Sequence, residues 1–167
     1  MVGRDANVAT NSNVDGNLGF SFTSVSGGCV LDNVTGLMWE VKTTDGGLRD
    51  RDKTYTNYSV TYDPLSQYGT VTDASGYVAA LNATNLCGYS DWRLPTADEL
   101  QSIIDYSVTT PTIDTIWFPN TKPSNYWSAS SYAGNSNWGW FGNFLGGQVG
   151  YFTRSTAYYV RVVRAGH

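Results

Sequence analysis

Charge is scarce in this chain. Of its 167 residues only 14% are Asp, Glu, Lys or Arg, against roughly 25% in an ordinary soluble domain. The formal net charge is −4, so there is no basic surface to neutralise a run of phosphates, and nucleic acid is not an expected partner. Histidine occurs once, as His167 at the end of the sequence, which removes the usual general base. The motifs G-x-S-x-G and H-E-x-x-H and a phosphate-cradling glycine loop are all missing. A carboxylate pair for glycoside hydrolysis would have to come from Asp91, Asp98, Glu99 or Asp105, and Asp98 and Glu99 fit a helix start better. The chain is therefore read as non-catalytic and without a cofactor. No apolar run approaches the roughly 18–20 residues that span a bilayer. The opening MVGRDANVATNSNVDGN also lacks the apolar stretch of a signal peptide.

Cysteine is nearly as rare. Cys29 and Cys87 stand 58 positions apart, a spacing that fits no zinc pattern. They are either a disulfide closing a long loop or two buried thiols. Carboxylates are wholly missing from positions 123–160, where Arg154 is the sole charged residue. Calcium needs several oxygen ligands, carboxylates among them, so no metal site is expected there. The Asn11-x-Asn13-x-Asp15-Gly16 run has Phe22 where a calcium loop needs Glu, and it reads as a turn. Three Asn-x-Ser/Thr sequons, at Asn33, Asn57 and Asn82, are what chance supplies in a chain this rich in Ser and Thr.

What the chain does have is aromatics, as many as charges: 6 Trp, 12 Tyr and 6 Phe, 14% of residues. Asn, Ser and Thr are also abundant. Residues 1–25 are polar and read as an N-terminal extension, ending in a first strand at 18–22. Residues 26–167 read as one domain. Two short strands are expected at 29–31 and 37–41, joined by an Asp-Asn-Val-Thr-Gly turn. The stretch 44–67 mixes charges of both signs and reads as a solvated surface loop. A helix over 73–86 can be capped by Asp73 or Ser75, with Val78, Leu81 and Leu86, and Ala79 and Ala80 beside them, as its apolar face. A second helix follows Pro95: Thr96 is the N-cap, Glu99 completes a capping box, and Leu100, Ile103 and Ile104 form the buried stripe. From Pro111 onward short aromatic pieces alternate with turn residues, the pattern of β-hairpins. Strands, then helices, then strands make an α+β fold rather than an alternating α/β one.

Several blocks carry a family resemblance. They are CVLDNVTGLMWEVKT, LCGYSDWRLPTADELQSIIDYS, IDTIWFPNT, YWSASSYAG and YYVRVVR, in this order. Together they resemble the C-terminal domain of the Legionella collagen-like adhesin. The resemblance covers about residues 29–164. It implies a C-type-lectin-like fold: two helices packed on small antiparallel β-sheets, with a ligand-binding face on the C-terminal sheet and its loops. Some members of that family are variable proteins of diversity-generating retroelements, in which exposed codons near the C-terminus are rewritten. The calcium-binding tripeptides of standard lectins, Glu-Pro-Asn, Gln-Pro-Asp and Trp-Asn-Asp, do not occur. Neither does the late cysteine pair of the related formylglycine-generating enzymes, since nothing after Cys87 is cysteine.

Eleven of the 24 aromatics fall between Tyr126 and Tyr159. Side chains alternate faces along a strand, and the resemblance makes Trp140 and Phe144 core, which sends Phe141, Asn143 and Leu145 outward. Gly142 departs from the family's usual β-branched residue, and Leu145-Gly146 departs from a polar pair. The expected ligand-binding set is Tyr132, Asn135, Asn137, Trp138, Phe141, Asn143, Tyr151, Phe152 and Arg154. Large rings with Asn, Ser and Gly between them have the composition of a paratope. Arg161 and Arg164, and Arg93 with them, are expected to pair with a carboxylate near Asp91 or Asp105 beneath that face. The leading functional expectation is a variable protein of a diversity-generating retroelement that binds a protein or glycan on a cell or virion surface. The alternatives are an invariant surface adhesin domain, a degenerate formylglycine-generating-type protein, and a purely structural domain.

Overall fold

A computed structural model describes residues 19–166. The expected turn at 11–16, Leu18 and His167 lie outside these. Strands β1 (Phe22–Val25), β2 (Cys29–Asp32), β3 (Leu37–Glu40) and β7 (Val163–Ala165) form one antiparallel sheet in the order β1-β2-β3-β7. Strands β4 (Asn125–Ser131), β5 (Trp138–Asn143) and β6 (Val149–Thr153) form a second, in sequence order. Two short helices, α1 (Ala74–Asn82) and α2 (Ala97–Ser102), lie between them in the chain. The α+β class and its two small antiparallel sheets are as the sequence indicates. The first strand begins at Phe22, later than expected.

Each expected turn and cap has its physical cause in view. In the β2–β3 turn the Asp32 carboxylate accepts from the backbone N–H of Val34 and Thr35, at 2.9 and 3.3 Å. Asp73 caps α1 by accepting from Ser75 N–H. Thr96 and Glu99 form the full capping box of α2. However, α2 covers only six residues, not the longer helix expected. Ile103 already leaves helical geometry, with φ −106° and ψ 3°. Two consecutive β-branched residues disfavour a further turn. Asp105 then pairs its own N–H with the Thr112 carbonyl and accepts from Ser107. Leu100, Ile103 and Ile104 are nonetheless all buried.

The core has two compartments. One gathers Phe22, Trp39, Leu100, Phe118, Tyr126, Phe144 and Val163. The other gathers Met38, Tyr55, Tyr77, Leu81, Trp92, Trp127 and Val162. Neighbouring residues in the chain, Met38 and Trp39, Tyr126 and Trp127, and Val162 and Val163, go to opposite compartments. That is the period-two alternation of extended chain buried on both sides. Cys29 and Cys87 form a disulfide with Cα atoms 6.5 Å apart. Closing a loop of this length stabilises the fold by about 4 kcal/mol in the chain-entropy account.

The 44–67 stretch does not stay on the surface. Tyr55, Asn57 and Tyr58 are buried. Tyr55 exchanges both backbone hydrogen bonds with Tyr158, and its carbonyl accepts from Trp127 Nε1 at 2.9 Å. Its ring meets Tyr77 of α1 at 5.0 Å. A polar-looking segment thus fills the space between α1 and the second sheet. Beneath it lies a buried polar cluster: the Glu40 carboxylate accepts from Lys42 Nζ at 3.0 Å, from the Tyr77 hydroxyl and from Val162 N–H at 3.1 Å.

Candidate ligand-binding face

Strand parity sorts the aromatics of the second sheet. Trp138 and Trp140 share one face of β5, and Tyr151 of β6 lies directly opposite Trp140. Tyr132, just past β4, closes the group. Its ring stacks on Tyr151 at 4.1 Å with planes 23° apart. Trp138 stacks on Tyr151 at 5.5 Å, and Trp140 meets the same ring edge-on at 5.1 Å. Separations of 4.5–7 Å in offset or edge-on geometry are the favourable range for ring pairs. Tyr151 remains 42% exposed, and the Tyr151 hydroxyl beside it raises the pKa of Tyr132. The four rings form one patch that carries no formal charge.

Phe141 has the other parity. It packs edge-on against Tyr158 at 5.3 Å, and Tyr158 in turn lies on the buried Trp127 at 4.7 Å. Phe152 stands on this second face, opposite Gly139, and is 50% exposed. Trp138 and Phe141 therefore cannot contribute to one contiguous surface. Phe144 is core as expected, and Leu145 is exposed. Trp140 is only half-buried and belongs to the ring patch, a role that the family resemblance hid and strand parity with Trp138 could have shown.

The polar members of the expected set mostly build turns. Asn135 accepts from Asn137 N–H at 3.2 Å in the β4–β5 connection. Asn143 donates to Asn125 and accepts from the backbone N–H of Leu145 and Gly146.

Arg154 is not on the outward face where the sequence places it. It is 4% exposed and does not face outward. Its guanidinium donates to the carbonyls of Ser136 and Asn57, both at 2.9 Å, and to Ser131 Oγ at 2.8 Å. Burial lowers its pKa. One side chain thereby ties three loops together under the sheet.

The other arginines divide as well. Arg164 forms the expected two-point pair with Asp91, at 2.6 and 3.2 Å. It also lies over the Tyr89 ring at 3.6 Å. The hydrogen bond from Arg164 holds the Asp91 carboxyl below its usual range. Arg93 pairs instead with Glu99, at 2.7 and 2.8 Å, and so joins the capping box of α2. Among the described residues Arg161 has no carboxylate partner by hydrogen bond: it donates to the Glu40 carbonyl and to Thr121 Oγ1, between the rings of Phe118 and Tyr126. Extended backbone leaves carbonyls available, and these satisfy it where a carboxylate was expected.

The blocks that hold this arrangement, from the β2–β3 turn to the terminal arginines, also match a known family. The family model described as the Lcl C-terminal domain covers residues 28–164. The chain belongs to the Lcl C-terminal domain family. No curated protein matches it. As a member of the Lcl C-terminal domain family it is an adhesin-like domain. Among its described residues no helix is long and apolar enough to cross a membrane.

Proposed function

We propose that this Lcl C-terminal domain is a non-catalytic binding module, and that its target docks on the Tyr132–Trp138–Trp140–Tyr151 patch. The carrying observation is the mutual stacking of four partly exposed rings on an uncharged sheet face. Rings held by one another lose little entropy when a ligand arrives, and they offer a large apolar area with hydroxyl and indole N–H groups at its rim. Two helices beside two small antiparallel sheets support the C-type-lectin-like fold. The Cys29–Cys87 disulfide supports an extracellular, surface-exposed location, since such bonds persist in oxidising compartments.

The finer reading is a variable protein of a diversity-generating retroelement. It is supported by the exposure of Asn135, Leu145, Tyr151 and Phe152, where substitution leaves both core compartments intact. A native locus holding a reverse transcriptase and a near-identical repeat of the 3′ coding end, differing at template adenines, is its test. A locus without that repeat leaves the invariant adhesin domain.

The binding reading is tested with Tyr151→Ser and Trp138→Ser against an array of glycans and intact cells. Both variants should lose the wild-type binding signal, and Tyr151→Ser should lower the Tm by no more than about 4 °C, the upper end of what 1 kcal/mol gives a domain of this size. Undiminished binding by both variants rejects the patch.

A further inference from the structure

Arg154 is a buried cation. Among the described residues no carboxylate oxygen lies within 4 Å of its guanidinium, whereas Arg93, Arg164, Lys42 and Lys122 each have one. Asp73 acts on it only through space. The Asp73 oxygens are already engaged by Thr56, Tyr58 and Ser75. Three of the five guanidinium N–H groups are used, on Ser136, Asn57 and Ser131. Buried charges are ordinarily paired, because an isolated one forfeits its hydration.

This residue lines a cavity of about 350 Å³, within the size range of small-molecule sites. The cavity opens between the start of α1, the 57–60 segment and the inner edge of β4. Its lining combines the polar groups of Asn57, Tyr58 and Ser131 with the apolar side chains of Val78 and Leu94. Among the described residues no carboxylate lines it. Arg93 also reaches it, but its charge is already matched by the two-point pair with Glu99. The unmatched charge at the cavity is therefore that of Arg154. None of the four rings of the proposed binding patch lines it.

We infer that this cavity is a second binding site, which takes a small monocarboxylate with an apolar stem. The carboxylate supplies the anion that Arg154 lacks and accepts from Ser131 or Asn57 alongside it. The stem lies against Val78 and Leu94. Amphipathic acids of amino-acid size fit both the volume and the mixed polar and apolar lining.

N-acetyl-leucine and its neutral isostere N-acetyl-leucinamide, titrated into the full chain at pH 7, test the inference. Amide NMR shifts should move at Tyr58, Ser131 and Arg154 with the acid and leave Trp138 and Tyr151 in place. The amide should bind at least about tenfold more weakly, as expected when a charge-assisted hydrogen bond becomes neutral. Arg154→Gln should abolish the difference between the two. Should that variant fail to fold, Val60→Glu decides. Val60 lines the cavity mouth and is 81% exposed, so a carboxylate there leaves the fold intact. It should weaken the acid about fivefold through like-charge repulsion and leave the amide unchanged. An acid that moves no resonance overturns the inference. So does equal affinity for acid and amide, a Val60→Glu variant that binds the acid as wild type does, or shifts centred on the aromatic patch.

Discussion

Gly142 shows how much one missing side chain can decide. It stands opposite Tyr126 on β4, and a Cβ placed there would come within 3.3 Å of Leu100 Cβ. α2 packs directly onto the strand at this point, so a β-branched residue there would crowd Leu100. Gly142→Val should therefore destabilise by about 1–3 kcal/mol, the range for overpacking a filled core. Urea denaturation measures it, and an unchanged midpoint would mean that Leu100 has room to move. The same scale explains Arg154. From sequence it is the lone charge in an uncharged stretch, which reads as a ligand contact. Its burial follows from Asn57, Ser131 and Ser136, whose oxygens converge on it from distant parts of the chain. No local pattern announces such a meeting.

At the scale of elements, α2 is the clearest case of legible sequence. Its cap, acidic first turn and buried Leu100 were all visible in PTADEL, because capping is a matter of residues three apart. Its length was not, because Leu100, Ile103 and Ile104 keep a helical spacing in the sequence although Ile103 leaves helical geometry in the structure. A helix of six residues depends heavily on its cap. Thr96→Ala should cost about 1 kcal/mol. Glu99→Ala should cost more, since Glu99 accepts from both Thr96 N–H and Arg93. The double variant should lose less than the sum of the two, as members of one hydrogen-bond network do. Chemical denaturation of the three variants checks this; strict additivity would contradict the coupling. The hairpins of the second sheet were legible as strands, but their faces were assigned partly by resemblance. Strand parity alone would have placed Trp140 with Trp138, as the register with Tyr151 does.

The whole molecule is held by groups that cannot easily change charge. Burial, with the nearby Glu40 carboxylate, raises the Tyr55 pKa from 10.0 to about 12, and the same causes push Tyr77 far higher. Below pH 10 both are neutral in the folded and unfolded states, and their contribution is fully present. Above pH 10 the unfolded chain releases these protons and the folded one does not, so stability is lost as pH rises through about 12. Lys42 acts in the opposite sense. Desolvation lowers its pKa below 10.5, so the unfolded chain holds the extra proton and this loss is relieved as pH approaches 10.5. Stability should accordingly hold or rise up to about pH 10 and fall steeply beyond it. Urea midpoints measured from pH 8 to 12 check the turn-over; a midpoint still constant at pH 12 would contradict the burial of these phenols.

Local chemistry, written into short stretches of sequence, determined the α+β class, the caps of both helices, the Asp32–Gly36 turn and the concentration of aromatics late in the chain. Those features depend on residues within a few positions of one another. Family membership was equally legible, because its blocks keep their order. Tertiary structure alone decided which rings meet, which arginine finds which partner, that Cys29 reaches Cys87, and that a polar stretch around Tyr55–Tyr58 turns inward. Each of these depends on segments tens of residues apart arriving at the same place. Partner and exposure are then set by the packing of two core compartments and not by the residue's own polarity.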